Sequence, residues 1–460
     1  MSAAAQQVHQ DLRTKSINKL FFQYLIPTVL GMVLMSVNII IDGIMVSRGV
    51  GADALAGVNI AIPAFSIIFS ISLWIGMGGA TLYSIALGEN KPDRARSVFA
   101  QSMVLAVIII GILMSVCLWK LEEMAYLFGA NDKIVPYTTD YLKILLTFGV
   151  IYVLENVLSI FIRNDGNPKL ATLGLVTTAV LNIIFNYFFI FKFGWGVEGS
   201  ALATIISAAI GFLVLLTHFF RKKSILKWVM PKFEWSTVKD ILMIGFPSFM
   251  TEMSVAIITI GFNVVFMAYA GETGVAAYAI VNSIHSMALL VFLGVGAALQ
   301  PLASFHFGAQ LYGRLKAALR IAVVTALLIG VLSIGVGLFF GEYIVMLFDI
   351  GEGSLLTLTI TGISLFFLHY LFLGFNMVYA EYYQSIRQTG KATGIILSRG
   401  LVLVLPLLWI MPLWFGVKGI WLVPLAAEML TALAVIVINR RSGSGLRKLT
   451  ETSSLDARKI

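Results

Sequence analysis

Asp42 has the most pointed chemistry in the chain. It stands in the apolar run MSVNIIIDGIMVS, and Asn38 lies four residues earlier, on the same face of any helix formed there. A carboxylate inside such a run costs far more than one in water, so an intramembrane acid is by default a functional candidate. Asn182 and Asn186 share the same four-residue spacing in LNIIFNYFFIF, and Thr204 closes GVEGSALAT. One carboxylate with amide and hydroxyl oxygens forms a hard-oxygen set suited to a monovalent cation or a titrating proton. The other ionisable groups inside apolar runs are Lys143, Glu155, Glu252, His285, His369 and Glu381. Glu252, Glu155 and His285 are the candidates for substrate or for a second cation. Glu155 has two readings, facing a cleft or pairing with Arg163 two turns on. Lys143 and Glu381 lie closer to the run ends, where long side chains reach the interface. The five histidines have no metal-ligand spacing, and Cys117 is the sole cysteine, so no metal site and no disulfide is expected.

These residues need helices in a bilayer to hold them. Of 460 residues, 59% are hydrophobic and 12% charged, with mean hydropathy +0.93. A soluble domain carries about a quarter charged residues, so a soluble enzyme or a disordered chain is excluded. At about 20 apolar residues per crossing, the chain has material for about a dozen spans. Apolar runs between polar breaks place them at 20–46, 55–87, 98–120, 137–162, 169–192, 198–220, 239–268, 275–307, 317–340, 356–386, 393–414 and 418–439. Pro27, Pro63, Pro247, Pro301, Pro406 and Pro424 interrupt them, as proline does where neighbouring helices re-satisfy the backbone.

Loop charge sets the orientation. With the N-terminus in the cytoplasm, only Arg48, Lys120, Lys133, Lys192 and Lys418 fall outside, and Lys143 lies within a span. The remaining Lys and Arg, Arg399 among them, are assigned to the cytoplasmic side. Both termini are then cytoplasmic, and the expected location is the plasma (inner) membrane. The net charge of +9 sits in connecting loops and signals no nucleic-acid partner. No phosphate-binding glycine loop is present, so ATP hydrolysis, and enzyme activity generally, is not expected.

A shift of 220 residues superposes the halves: Pro27 on Pro247, Gly51 on Gly271, Gly76 on Gly296, Ser84 on Ser304, Gly88 on Gly308 and Arg94 on Arg314. A shift of 224 pairs IRNDG (162–166) with IRQTG (386–390). Six spans per half make the repeats parallel. The expected organisation is an N-terminal six-helix lobe (1–220), a cytoplasmic linker (221–239), a C-terminal six-helix lobe (240–440) and a polar cytoplasmic tail (441–460). Two such lobes suit alternating access. Transport is the leading reading, and with the resemblance described next it becomes export of amphipathic organic cations. A flippase or exporter of a lipid-linked or amphipathic metabolite is the alternative, and a non-transporting sensor is a third class. A monomer in the lipid bilayer is expected, with no cofactor beyond a coupling ion, H⁺ or Na⁺.

Over residues 17–440 the pattern resembles the MATE (multidrug and toxic compound extrusion) family, in its prokaryotic multidrug-efflux form. The features are Pro27 with Asp42, GADALAG (51–57), IRNDGNPKLA (162–171), LNIIFNYFFIF (181–191), GVEGSALAT (196–204), GFPSF (245–249) and IRQTGKA (386–392). The resemblance implies an all-α fold of twelve helices in two lobes forming a V. It also implies export driven by inward flow of Na⁺ or H⁺, and an ion site in the N-terminal lobe. By motif, Asp42, Asn182, Asn186 and Thr204 occupy that site. Relatives commonly carry aspartate where this chain has Asn186, which leaves Asp42 as the only carboxylate of the cluster.

Overall fold

A computed structural model describes residues 10–230, 233–346, 348 and 353–456, with side chains to residue 440. Every regular element among the described residues is helical. Among the described residues nine helices are long and apolar enough to cross a bilayer, and a tenth crossing is made by Val135–Phe148 and Val150–Asn164, bent by 53°. Two of these helices contain a glycine with non-helical backbone, Gly271 in Trp235–Gly308 and Gly416 in Val404–Asp456. Each glycine divides its helix into two, giving twelve spans in two lobes.

The spans are α1 (Ile17–Gly49), α2 (Ala52–Gly88), α3 (Pro92–Trp119), the bent α4 (135–164), α5 (Pro168–Asn186) and α6 (Gly196–Leu216). They continue as α7 (235–270), α8 (272–308), α9 (Tyr312–Met346), α10 (354–385), α11 (389–415) and α12 (417–456). Proline occupies the first turn of α3, α4 and α5, where its missing N–H would have no partner anyway. The α4 bend falls at Gly149, where a methyl group would meet the Leu145 carbonyl oxygen at 2.4 Å. Large apolar side chains remain on the surface, among them Ile39, Leu213, Leu332 and Leu413. A belt of this kind is stable facing lipid.

The repeat is written into the turns. Left-handed backbone recurs 220 residues apart at Gly51 and Gly271, at Asn90 and Gln310, and at Gly196 and Gly416. The IRNDG and IRQTG turns follow another register. Asp165 N, Gly166 N and Asn167 N donate to the carbonyls of Phe161, Arg163 and Ile162. Ile386 N, Arg387 N and Gln388 N repeat that pattern onto Tyr382, Gln384 and Tyr383. The structural offset there is 221, not 224, so Arg163 corresponds to Gln384 and Asp165 to Ile386.

Packing groups the chain at different points from the repeat. One unit comprises Met1–Met253 with Gln300–Ala309, and the other Ser254–Leu299 with Gln310–Ile460. Close crossings at glycines account for the first grouping. A methyl on Gly245 would lie 1.7 Å from the Trp74 carbonyl oxygen, and one on Gly308 would lie 2.2 Å from that of Ile85. A buried polar chain adds to it: Ser84 Oγ donates to Asn164 Oδ1 (2.6 Å), and Asn164 Nδ2 donates to Gln300 Oε1 (2.9 Å). Asp165 ties the segment after α6 to the same unit. It accepts from Tyr83 Oη (2.7 Å), His218 Nε2 (2.8 Å), Ser224 Oγ (3.0 Å) and the Ile225 and Leu226 amides (3.1 and 3.3 Å).

The second unit is centred on aromatics, with Phe262, Phe266, Tyr278, Phe366, Tyr370 and Trp421 buried together. It also holds an ion pair. Arg399 Nε and Nη2 lie 2.8 and 2.7 Å from Glu428 Oε1, and Asn376 Nδ2 donates to Glu428 Oε2 at 2.6 Å. Arg399 therefore belongs inside α11, in the π-helical turn Ser398–Val402, and not to a cytoplasmic loop. Its exposed share is 13% and that of Glu428 is 5%. Breaking a buried pair on one side leaves an uncompensated charge and costs about 3–5 kcal/mol, whereas an apolar replacement of both partners is near neutral. Arg399→Met should accordingly lower the melting temperature of the purified protein sharply, and Arg399→Met/Glu428→Leu should recover most of the loss. Equal losses in the single and double variants would show that the pair carries no such coupling.

Candidate functional site

Three helices of the first unit each contribute two polar residues four apart. These are Asn38 and Asp42 on α1, Asn182 and Asn186 on α5, and Ser200 and Thr204 on α6. Four residues is one helical turn, so each pair lies on one face, and the six residues form two stacked layers. In one layer Asn38 Nδ2 donates to Asn182 Oδ1 (2.8 Å), and Asn182 Nδ2 donates to Thr204 Oγ1 (3.2 Å). In the other, Asn186 Nδ2 and Ser200 Oγ both donate to Asp42 Oδ1, the latter at 3.3 Å. Asn186 Nδ2 also reaches Asn182 Oδ1 (3.2 Å), and Thr204 Oγ1 donates to the Ser200 carbonyl (3.2 Å), joining the layers. Tyr141, from α4, is buried near Asp42 and Thr204 at the edge of the cluster.

All five residues expected at the coupling-ion site, Asp42, Asn38, Asn182, Asn186 and Thr204, thus meet. Among the described residues Asp42 has neutral hydrogen-bond partners only. Asn186 is fully buried, and among the described residues its Oδ1 has no hydrogen-bond partner. Carboxylate, amide and hydroxyl oxygens converging without a basic side chain are the donor set of a small hard cation or a proton. Ser200 and Tyr141 were absent from the sequence reading. The same one-turn spacing that linked the other pairs would have located Ser200 from Thr204.

Glu155, on α4, lies further along the same faces of α5 and α6. Thr178 Oγ1 donates to its Oε1, and Thr178 sits one turn from Asn182 on α5. Glu155 is 1% exposed, and among the described residues its Oε2 has no hydrogen-bond partner. Gly211 on α6 makes room for it, since a methyl there would lie 2.3 Å from Oε1. Of the two readings for Glu155, the carboxylate turns towards α5 and α6. Glu252, on α7, is half-buried and lies within electrostatic range of Tyr152, as does Glu155. His285 belongs elsewhere. In the second unit its Nδ1 lies 3.1 Å from Tyr370 Oη, and its ring centre lies 5.2 Å from that of His369. The sequence reading also passed over Glu428, the acid paired with Arg399.

Comparison with known proteins gives the same frame. The MatE family model matches twice, at residues 27–188 and 247–410, so each match begins 220 residues from the other. The multidrug export protein MepA of Staphylococcus saprophyticus is 25% identical over 433 residues, covering 92% of this chain and 93% of that protein. The MepA of Staphylococcus haemolyticus is 24% identical over 426 residues, covering 92% and 93%. Among solved structures, the outward-facing conformation of a multidrug resistance MATE family transporter of the MOP superfamily matches with TM-score 0.90 at 24% identity. That match covers 97% of this chain and 99% of the other. A MOP superfamily transporter from Pyrococcus furiosus, described as having a binding pocket of reverse polarity, matches with TM-score 0.89 at 24% identity, covering 95% and 98%. With both halves matched by the family model over most of their length, the chain belongs to the MATE family.

Proposed function

We propose that this protein is an antiporter that exports amphipathic organic cations in exchange for H⁺ or Na⁺, with Asp42 as the coupling site. The carrying observation is the Asp42 cluster, a lone carboxylate held by amides and hydroxyls from three helices with no basic side chain. The multidrug export activity in the names of the staphylococcal relatives supports the cargo class. The expected orientation puts both termini in the cytoplasm of a plasma membrane.

The mechanism follows from differential binding. A ligand shifts a two-state equilibrium only by its difference in affinity for the two states. When Asp42 is ionised, it holds Asn186 and Ser200 and so ties α1 to α5 and α6. A proton or Na⁺ on that carboxylate competes for the same oxygens and loosens the tie. α1 carries Pro27, which removes one backbone N–H from the helix ladder and provides a place to bend. Occupancy at Asp42 thereby becomes a change in α1, and cargo affinity follows the conformation. Glu155 is the second candidate station, because Thr178, Asn182 and Asn186 form an unbroken polar face between it and Asp42. Glu252, beside Tyr152, is the acidic candidate for a cationic cargo. Arg399 does not turn the balance towards anionic cargo, since Glu428 neutralises it.

Proteoliposomes with separately imposed Na⁺ and H⁺ gradients test the proposal with a cationic dye as cargo. Asp42→Asn should abolish ion-driven export while leaving a folded, dye-binding protein. Export at the wild-type rate would remove Asp42 from the mechanism. Asn186→Asp should bring a second carboxylate to the cluster. Because cation affinity rises with the count of charged ligands, it should tighten Na⁺ on the order of tenfold. Unchanged Na⁺ dependence of transport would show that these oxygens do not hold the ion.

A further inference from the structure

The segment that leaves α6 lines two cavities of opposite character. On one side is a groove of about 300 Å³ whose walls are wholly apolar and include Phe99, Leu158, Phe212, Phe219 and Trp228. On the other is a cavity of about 360 Å³ bordered by Asp165, Asn167, His218 and the consecutive cations Arg221, Lys222 and Lys223. The two meet at the short 3₁₀ turn Thr217–Phe220, where His218 faces one and Phe219 the other. Arg221, Lys222 and Lys223 are exposed, as are Phe220, Trp228, Met230 and Trp235. Bulky aromatics beside clustered cations are the composition of a membrane interface.

From this juxtaposition we infer a binding site for one anionic glycerophospholipid, its phosphate at Arg221–Lys223 and an acyl chain along the Phe99–Trp228 groove. Asp165 is the one acid in the polar cavity, and its oxygens are taken up by the Tyr83, His218, Ser224, Ile225 and Leu226 donors. Arg221 and Lys223 against that single engaged carboxylate leave the cavity net positive. The apolar neighbour distinguishes a lipid from a soluble phosphate, because an acyl chain would cover the groove while the headgroup meets the cations. The segment is also held in place to receive it. Ser224, Ile225 and Leu226 are buried, and Arg96 Nε donates to the Ile225 carbonyl at 3.1 Å. Trp228 packs edge-on against Phe99, with ring centres 6.2 Å apart. The site shares no residue with the Asp42 cluster.

Trp228 supplies the readout. The full-length protein would be placed in phosphatidylcholine nanodiscs containing a minor fraction of dibrominated phosphatidylglycerol or dibrominated phosphatidylcholine. The difference in fluorescence from Trp228→Phe isolates this side chain. Brominated phosphatidylglycerol should quench Trp228 several-fold more strongly than brominated phosphatidylcholine. Each charge removed from Arg221, Lys222 and Lys223 as Gln should weaken the preference roughly fivefold, until the two lipids are equivalent. Native mass spectrometry reads the same site without Trp228, and should find one retained phosphatidylglycerol that the triple Gln variant lacks. Equal quenching by both lipids in the unmodified protein would overturn the inference. So would loss of the preference on adding inorganic phosphate, which would assign the basic cavity to a soluble anion.

Discussion

A carboxylate placed at membrane depth must be compensated there, and this chain meets that constraint in two different ways. Glu428 is answered by Arg399, a full opposite charge held on Oε1 with Asn376 on Oε2. Asp42 is answered only by dipoles, an amide and a hydroxyl. The first arrangement is closed, because the pair satisfies itself and favours a fixed structure. The second is open, since hydrogen bonds from neutral groups soften the burial of a charge without cancelling it. A proton or small cation can therefore still improve it. The contrast separates an acid that holds a lobe together from one that can exchange a partner.

The architecture serves that open arrangement through spacing. α1, α5 and α6 each repeat a polar residue after one turn, so the three helices share a polar seam two layers deep within walls that are otherwise apolar. Thr178 extends the α5 side of the seam by another turn to Glu155. Gly211 has to be glycine because the Glu155 carboxylate occupies the volume of its missing side chain. The seam thus depends on small residues as much as on polar ones.

Much of this was legible in the sequence. Long apolar runs specify spans because backbone groups in lipid must bond within their own helix. The left-handed turns at Gly51 and Gly271 fall where the repeat placed them. That Asn38, Asp42, Asn182, Asn186 and Thr204 would gather was readable from four-residue spacing and motif. What sequence could not convey was tertiary. Arg399 reads as a loop cation until Glu428, on the following helix, is seen beside it. The IRNDG and IRQTG motifs align by side-chain identity at one offset, whereas backbone hydrogen bonding aligns them at another. At that turn Asp165 has an apolar counterpart, Ile386, and Asp165 supplies the acceptor that Ser224, Ile225 and Leu226 use in the segment after α6.

The amide of Asn186 donates to Asp42, and under the proposed coupling this one contact sets how readily the site changes its ion. Asparagine and aspartate have nearly the same shape, and their codons differ by a single base. At this position that base decides whether Asp42 faces a donor or a second acceptor. Two facing acceptors repel unless something positive lies between them. A lineage could therefore exchange one driving ion for another by a point change, with no helix having to move to accommodate it.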